Sequence, residues 1–142
     1  MADKLTEFLR AHQVPQPDPQ LRSEWLAAVE QLYGEMRTWL GEAKADGLAD
    51  IKDADTTITE ERLGTYEVPV LQLFFGGRMV VVRPVGRLIL GAKGRVDMSL
   101  GPRKFILIWE GDGRWKIAQV AGKDASPLTK DTFSAAVEQL LS

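Results

Sequence analysis

"EVPVLQLFFGGRMVVVRPVG", residues 67–86, decides how this chain is built. Two β-rich runs flank Gly76-Gly77, and a glycine pair in that setting reads as a two-residue hairpin turn. Such a turn pairs Phe75 with Arg78 and continues outward in step. One face then carries Pro69, Leu71, Leu73 and Phe75 opposite Pro84, Val82, Val80 and Arg78. It is almost wholly apolar and is expected to be core. The other face carries Tyr66, Val68, Val70, Gln72 and Phe74 opposite Arg87, Val85, Arg83, Val81 and Met79. That face is mostly apolar too. Pro69 falls opposite Pro84, and proline has no N–H to give to a ladder. The pairing is expected to break or bulge there, with a bend in the strand.

The same two-residue period runs through the middle of the chain. It predicts strands over 57–63, 66–75, 78–90, 94–100, 103–110 and 114–121. The turns between them are Gly64-Thr65, Gly76-Gly77, Gly91 to Gly94, Gly101-Pro102 and Gly111-Asp112-Gly113. Connections this short imply an antiparallel meander of five or six strands. "RKFILIW" (103–109) is again apolar on both sides, Phe105, Leu107 and Trp109 against Ile106 and Ile108. A sheet with one wet face alternates more cleanly. The expectation is therefore a curved sheet or half-barrel with helices on both flanks, or a partner over the second face.

Upstream, residues 3–12 read as a short amphipathic helix with Leu5, Phe8 and Leu9 on one side. "VPQPDP" (14–19) is an extended spacer, and its Asp18 and Pro19 are suited to start the next helix. That helix is predicted from Gln20 to Ala45. Its apolar stripe follows Trp25, Val29, Leu32, Met36, Trp39 and Ala43, widened by Leu26, Tyr33 and Leu40. Trp25, Tyr33 and Trp39 are its candidate interface residues. "ADGLADIKDADTT" (45–57) holds Asp46, Asp50, Asp53 and Asp55 but fits no calcium-loop spacing, and it reads as a solvated connector. Downstream, Thr129 caps a closing helix with Phe133, Ala136, Val137, Leu140 and Leu141 on one face. The fold class is α+β in one domain, 1–142: a helical segment over 1–50, a sheet over 56–121 and a closing helix over 129–141.

Composition narrows the chemistry. The 142 residues include no cysteine, which excludes disulfides, thiolate metal sites and cysteine nucleophiles. His12 is the single histidine, so triads and multi-histidine metal centres are excluded as well. No metal or other cofactor is expected. "MADKLTEFLRAHQ" lacks the apolar core of a secretory signal, and no apolar run is long enough to span a bilayer. A cytoplasmic location without membrane contact is the expectation. The net charge of −2 conceals a partition: residues 1–75 carry 7 basic and 14 acidic side chains, residues 76–123 carry 10 and 3. The bland explanation is acidic helices over a basic sheet; the functional one is a surface for an anionic partner.

"RPVGRLILGAKGRVD" (83–97) fails the phosphate-loop tests. Gly86 and Gly91 have the outer spacing, but Ala92 stands before Lys93 and no hydroxyl follows. Its glycines read as a turn. Its arginines are candidates: Arg83, Arg87 and Arg95, with Asp97 and Tyr66, form the expected ligand-binding set. Arg83 sits among valines, where a charge needs a partner. That partner is a carboxylate such as Glu67 or Asp97, or an external anion held together with Arg87 and Lys93. Glu60, Glu61 and Glu67 read as solvated strand-end acids.

"GDGRWKIAQV" (111–120) resembles the last strand of the cone-shaped NTF2-like folds, which also begin with helices. The resemblance covers one strand, and the helix after it departs from their usual ending. No site residues carry over from it; it implies a small-molecule pocket or enzyme inside a curved sheet, for which the strands of this sequence offer Tyr66, Gln72, Trp109 and Trp115 as lining. Three functions are thus expected in descending order. The first is a non-catalytic binding or assembly module that self-associates or takes a protein partner. The second is an anion binder for a phosphorylated ligand or, less readily, nucleic acid, since "FILIW" is too apolar for an open stacking platform. The third is the small-molecule pocket or enzyme.

Overall fold

The architecture, a computed structural model, describes residues 3–11, 19–60, 63–87, 93–119 and 124–142. His12, the spacer through Asp18, Glu61, the 88–92 end of the third expected strand with its turn, and residues 120–121 lie outside them.

Helix α1 (Lys4–Ala11) leaves Leu5, Phe8 and Leu9 more than half exposed. Helix α2 (Pro19–Trp39) buries Trp25, Ala28, Val29, Leu32, Tyr33 and Met36, the stripe read from its period. The expected helix to residue 45 is interrupted. Leu40 sits at φ −93, ψ 0, itself buried, and a separate five-residue α3 (Gly41–Ala45) follows. A glycine at 41 makes this a weak point for helix propagation.

Seven strands follow in strict sequence order: β1 (Asp50–Glu60), β2 (Gly64–Phe75), β3 (Arg78–Gly86), β4 (Gly94–Leu100), β5 (Arg103–Gly111), β6 (Arg114–Ala118) and β7 (Ser126–Pro127). Each is antiparallel to the next, and β1 and β7 remain edges of an open sheet. The acidic stretch 50–56 is not a connector. It is the first half of β1, paired from Asp50–Phe74 to Glu60–Gly64. An edge strand keeps its carboxylates in water while its backbone pairs, and charge there discourages a further strand.

The β2–β3 hairpin has the register read from Gly76-Gly77, Phe75–Arg78 through Leu71–Val82. Gly76 has φ +64 and Gly77 lies outside the positive region, as a type II′ turn requires. The ladder stops at Leu71–Val82. Alternate pairs of such a hairpin exchange both hydrogen bonds, so the next doubly bonded pair would be Pro69–Pro84, which has no donor. Beyond the break the inward face of β2 changes parity: Leu71 and Leu73 are buried on one side of it, Tyr66 and Val68 on the other. On β3 the register shifts between Pro84 and Gly86.

One core cluster joins α2, the inner sheet face and helix α4 (Lys130–Leu141). Both long helices therefore lie on the same side, and the expected helices on both flanks are not found. Thr129 caps α4 in a reciprocal box: its Oγ1 accepts from Thr132 N at 3.2 Å, and Thr132 Oγ1 accepts from Thr129 N at 2.8 Å. At the other end the sheet supplies cations. Arg78 donates to Leu140 O and Leu141 O, Arg103 to Gln139 O and Ser142 O, where the helix dipole favours positive charge.

Candidate functional site

The three expected interface residues belong to this chain's own interior. Trp25 and Tyr33 are fully buried, and Trp39 is half-buried with its ring 5.2 Å from that of Phe133. Arg83, Arg95 and Asp97 stand on the outer sheet face. Arg95 grips Asp97 with Nε to Oδ1 at 2.8 Å and Nη2 to Oδ2 at 3.3 Å, and Lys104 approaches at 3.8 Å. Arg83, expected to be buried and paired, is exposed. It faces Asp97 in the register, but that carboxylate is already taken by two other cations. Its Nη2 instead donates to Thr56 Oγ1 at 3.1 Å, two strands away, and no carboxylate lies within 4.0 Å among the described residues.

These side chains answer the puzzle of a sheet apolar on both sides. Lys52 lies 5.2 Å over the Phe74 ring, Arg83 crosses β2, the Arg95–Asp97–Lys104 group sits beside Ile106, and Lys116 meets Glu110 at 3.4 Å. Long charged side chains cover apolar surface with their stems. Val70 and Ile106 reach 7% and 4% exposure although they lie outside the core cluster that joins the helices to the inner face.

Arg87 is parted from this group. The register shift at Pro84–Gly86 turns the chain over, and Arg87 lands on the helix side with its guanidinium 5.3 Å above the Trp109 ring. Its Nη1 donates to Lys93 O at 3.1 Å, and its backbone N–H donates to Glu60 Oε1 at 2.7 Å. The other Glu60 oxygen accepts from the Tyr66 hydroxyl. Glu60, read as a solvated acid, thus joins two expected ligand residues. Arg22 completes the corner, donating to Leu63 O through Nε and Nη2 at 3.2 and 2.8 Å and lying 5.5 Å over Tyr66. Burial, then the Glu60 carboxylate, holds the Tyr66 hydroxyl far above the usual phenol range.

Below this corner Trp25, Trp109 and Trp115 form a triangle, with ring centroids 5.8, 6.1 and 6.4 Å apart. A cleft of about 520 Å³ opens between α2 and the β5–β6 turn. Small side chains make the room: Ala27 and Ala28 on the helix, Gly111 and Gly113 on the turn. A Cβ on Gly111 would stand 3.0 Å from Lys93 Nζ, and one on Gly113 would stand 3.0 Å from Gln31 Nε2. The expected pocket of Tyr66, Gln72, Trp109 and Trp115 is not assembled. Only Trp109 of the four lines the cleft, and Gln72 pairs with Val81 on the outer face.

The cleft carries charges of both signs. Of its acids, Asp112 lies 3.9 Å from Arg114, and Glu24 accepts from the neutral Gln20 amide at 3.4 Å. Its cations, Arg87 and Lys93, have no carboxylate within 4.0 Å among the described residues. Arg87 Nε and the indole nitrogens of Trp25, Trp109 and Trp115 are buried without a hydrogen-bond acceptor. The Trp25 N–H lies near the Tyr66 hydroxyl but outside hydrogen-bond geometry. Among the described residues every such orphaned side-chain atom is an N–H donor, and all four belong to this cluster. A smaller hollow of about 310 Å³ between α4 and β5–β6 has Asp124 as its one charged residue and concentrates no comparable chemistry. Lys93 carried a weak signal in the sequence, beside the turn glycines; Gln31 and Glu24 carried none, because they lie on the polar side of an ordinary helix period. Set against models of protein families, curated proteins and solved structures, the chain matches none.

Proposed function

We propose that the protein is a non-catalytic binding module that takes a small anionic ligand in the cleft between α2 and the β5–β6 turn. The observation that supports this is that Arg87 and Lys93 have no carboxylate within 4.0 Å among the described residues, while two donors of residues lining the same cleft, Arg87 Nε and the Trp109 indole N–H, are buried without acceptors. A buried donor without a partner costs on the order of 1–3 kcal/mol. An anion supplies what these groups need, charge and acceptor oxygens without further donors. Arg87 is the anchor, with its plane fixed by Trp109 and by Lys93 O. Lys93 is the second charge and Gln31 a neutral donor from the helix. Trp109 at the cleft, with Trp25 and Trp115 packed beside it, provides the readout. Adding small anions, but not their neutral analogues, is expected to shift tryptophan emission and release heat in calorimetry. Lys93→Gln, at an exposed position, is expected to weaken binding roughly tenfold while leaving the melting temperature in place. Absence of any response at millimolar anion and low salt would dismiss the reading.

Self-association has one observation in its favour. Met79 and Val85 are exposed at 38% and 41% on the outer face, on the strand that also carries the unneutralised Arg83. Light scattering decides it: a mass that rises with protein concentration and falls back in Val85→Glu supports it, and a constant monomer mass ends it.

A further inference from the structure

We infer that the group held in this cleft is a dianionic, tetrahedral oxyanion, a phosphoryl or sulfuryl group; this rests on the anion reading above. Charge is the first argument. Neither Arg87 nor Lys93 has a carboxylate within 4.0 Å among the described residues, so a monoanion pairs fully with only one of them, whereas a dianion can pair with both. Of the rim acids, Asp112 lies 3.9 Å from Arg114, while Glu24 accepts only from the neutral Gln20 amide at 3.4 Å and keeps its charge; neither comes within 4.0 Å of Arg87 or Lys93.

Direction is the second argument. The donors arrive from three separate pieces of backbone: Arg87 just past β3, Lys93 just before β4, and Gln31 on α2. A carboxylate is planar and offers two oxygens, which suits one bidentate fork. Three terminal oxygens pointing to the corners of a tetrahedron suit donors converging from three sides. The Arg87 guanidinium is also fixed against the Lys93 backbone before any ligand arrives. Arg87 Nη1 donates to Lys93 O at 3.1 Å, while Lys93 N donates to Trp109 O at 3.0 Å. Arg87 in turn lies over the Trp109 ring. This circuit of backbone, guanidinium and indole holds the Arg87 guanidinium in place, which lowers its ordering cost on binding. Glycine at 111 is part of the device, because a side chain there would displace the Lys93 ammonium.

The test is calorimetry on the full chain with inorganic phosphate, phenyl phosphate, sulfate and acetate at low salt between pH 5 and 8. The expected result is that phosphate at pH 8 and sulfate at any pH bind roughly tenfold or more tightly than acetate. Phosphate binding is expected to strengthen as pH rises through a second pKa of about 6 to 7, while sulfate, a dianion throughout, stays flat. Lys93→Gln is expected to erase the advantage of the dianions, weakening phosphate and sulfate more than it weakens acetate. Phenyl phosphate binding more tightly than phosphate would support an ester as the natural ligand, and the reverse would support the free ion. If acetate matches sulfate and phosphate, the dianion inference falls and the anion reading stands. If none of the four binds, both fall together.

Discussion

Gly94→Ala is expected to cost about 3 kcal/mol of folding stability, at the high end for adding one carbon to a packed interior. An ideal Cβ on Gly94 would lie 2.4 Å from Trp25 Cζ3 and 2.9 Å from both Cε3 and Cη2. Carbon atoms in contact rest near 3.5–4.0 Å. The ring cannot retreat, because Trp25 is fully buried and flanked by Trp109 and Trp115. The strand cannot retreat either. Gly94 is paired with Trp109 on β5, and β4 is an interior strand of the sheet. The glycine's φ is not positive, so the penalty is steric and carries no contribution from backbone strain. This makes the cause separable. Trp25→Leu removes the obstructing ring, and in the double variant the two losses should sum to less than additive by about 1 kcal/mol or more. Urea denaturation of the four proteins measures it. A Gly94→Ala loss below about 1 kcal/mol, or strict additivity, would mean that Trp25 does not rest on this glycine. Because Arg87 stacks on Trp109, the same substitution should also weaken anion binding in whatever fraction remains folded.

How far the sequence could be read depends on whether the deciding interaction is local. The Gly76-Gly77 turn fixes its own register, so the pairing of β2 with β3 was legible residue by residue. The proline pair was legible for the same reason, since a missing donor needs no tertiary context. What it entails was not. A register shift at Pro84–Gly86 changes the side on which every later residue projects, and it carries Arg87 away from Arg83 and onto the tryptophans. The sequence places the two arginines on one face; the structure places them on opposite faces. The second half of β1 lies in the strand expected over 57–63, but its first half is not legible because aspartate disfavours strands, and its strand character comes from the partner it pairs with. The doubly apolar sheet pointed to a second layer. A roof of charged stems does the same shielding, and stems do not show in a hydrophobic period. Glu60 became a junction between Tyr66 and Arg87 through a contact 27 positions along the chain, which no spacing rule reaches.

Tyr33→Phe is expected to cost about 2 kcal/mol, although it removes a single oxygen and leaves no cavity of consequence. Tyr33 was expected at an interface between copies; its hydroxyl instead reaches the point where the β2–β3 ladder fails. It donates to Pro69 O at 2.7 Å and lies 3.2 Å from Val82 O. Pro69 O lost its ladder donor because the residue opposite is proline, and Val82 is the last residue in register. A helix side chain therefore supplies the hydrogen bond that two prolines deny the sheet. Phenylalanine would leave that carbonyl buried and unanswered, which explains a loss above the mean for one hydrogen bond. The pH dependence follows from the same burial. The chain has two tyrosines, and both are held well above the ordinary value of 10.0: Tyr33 by burial and then by Glu30, Tyr66 by burial and then by Glu60. With the folded values raised, their contribution to stability is complete below pH 10. It is lost as pH climbs beyond, where the unfolded chain releases protons that the folded chain retains. Denaturation midpoints should therefore fall between about pH 10 and 11, and fall less steeply in Tyr33→Phe, which has one such group fewer. Equal slopes in the two proteins, or an early tyrosinate absorbance from the folded state, would show that the Tyr33 hydroxyl is not sealed at the break.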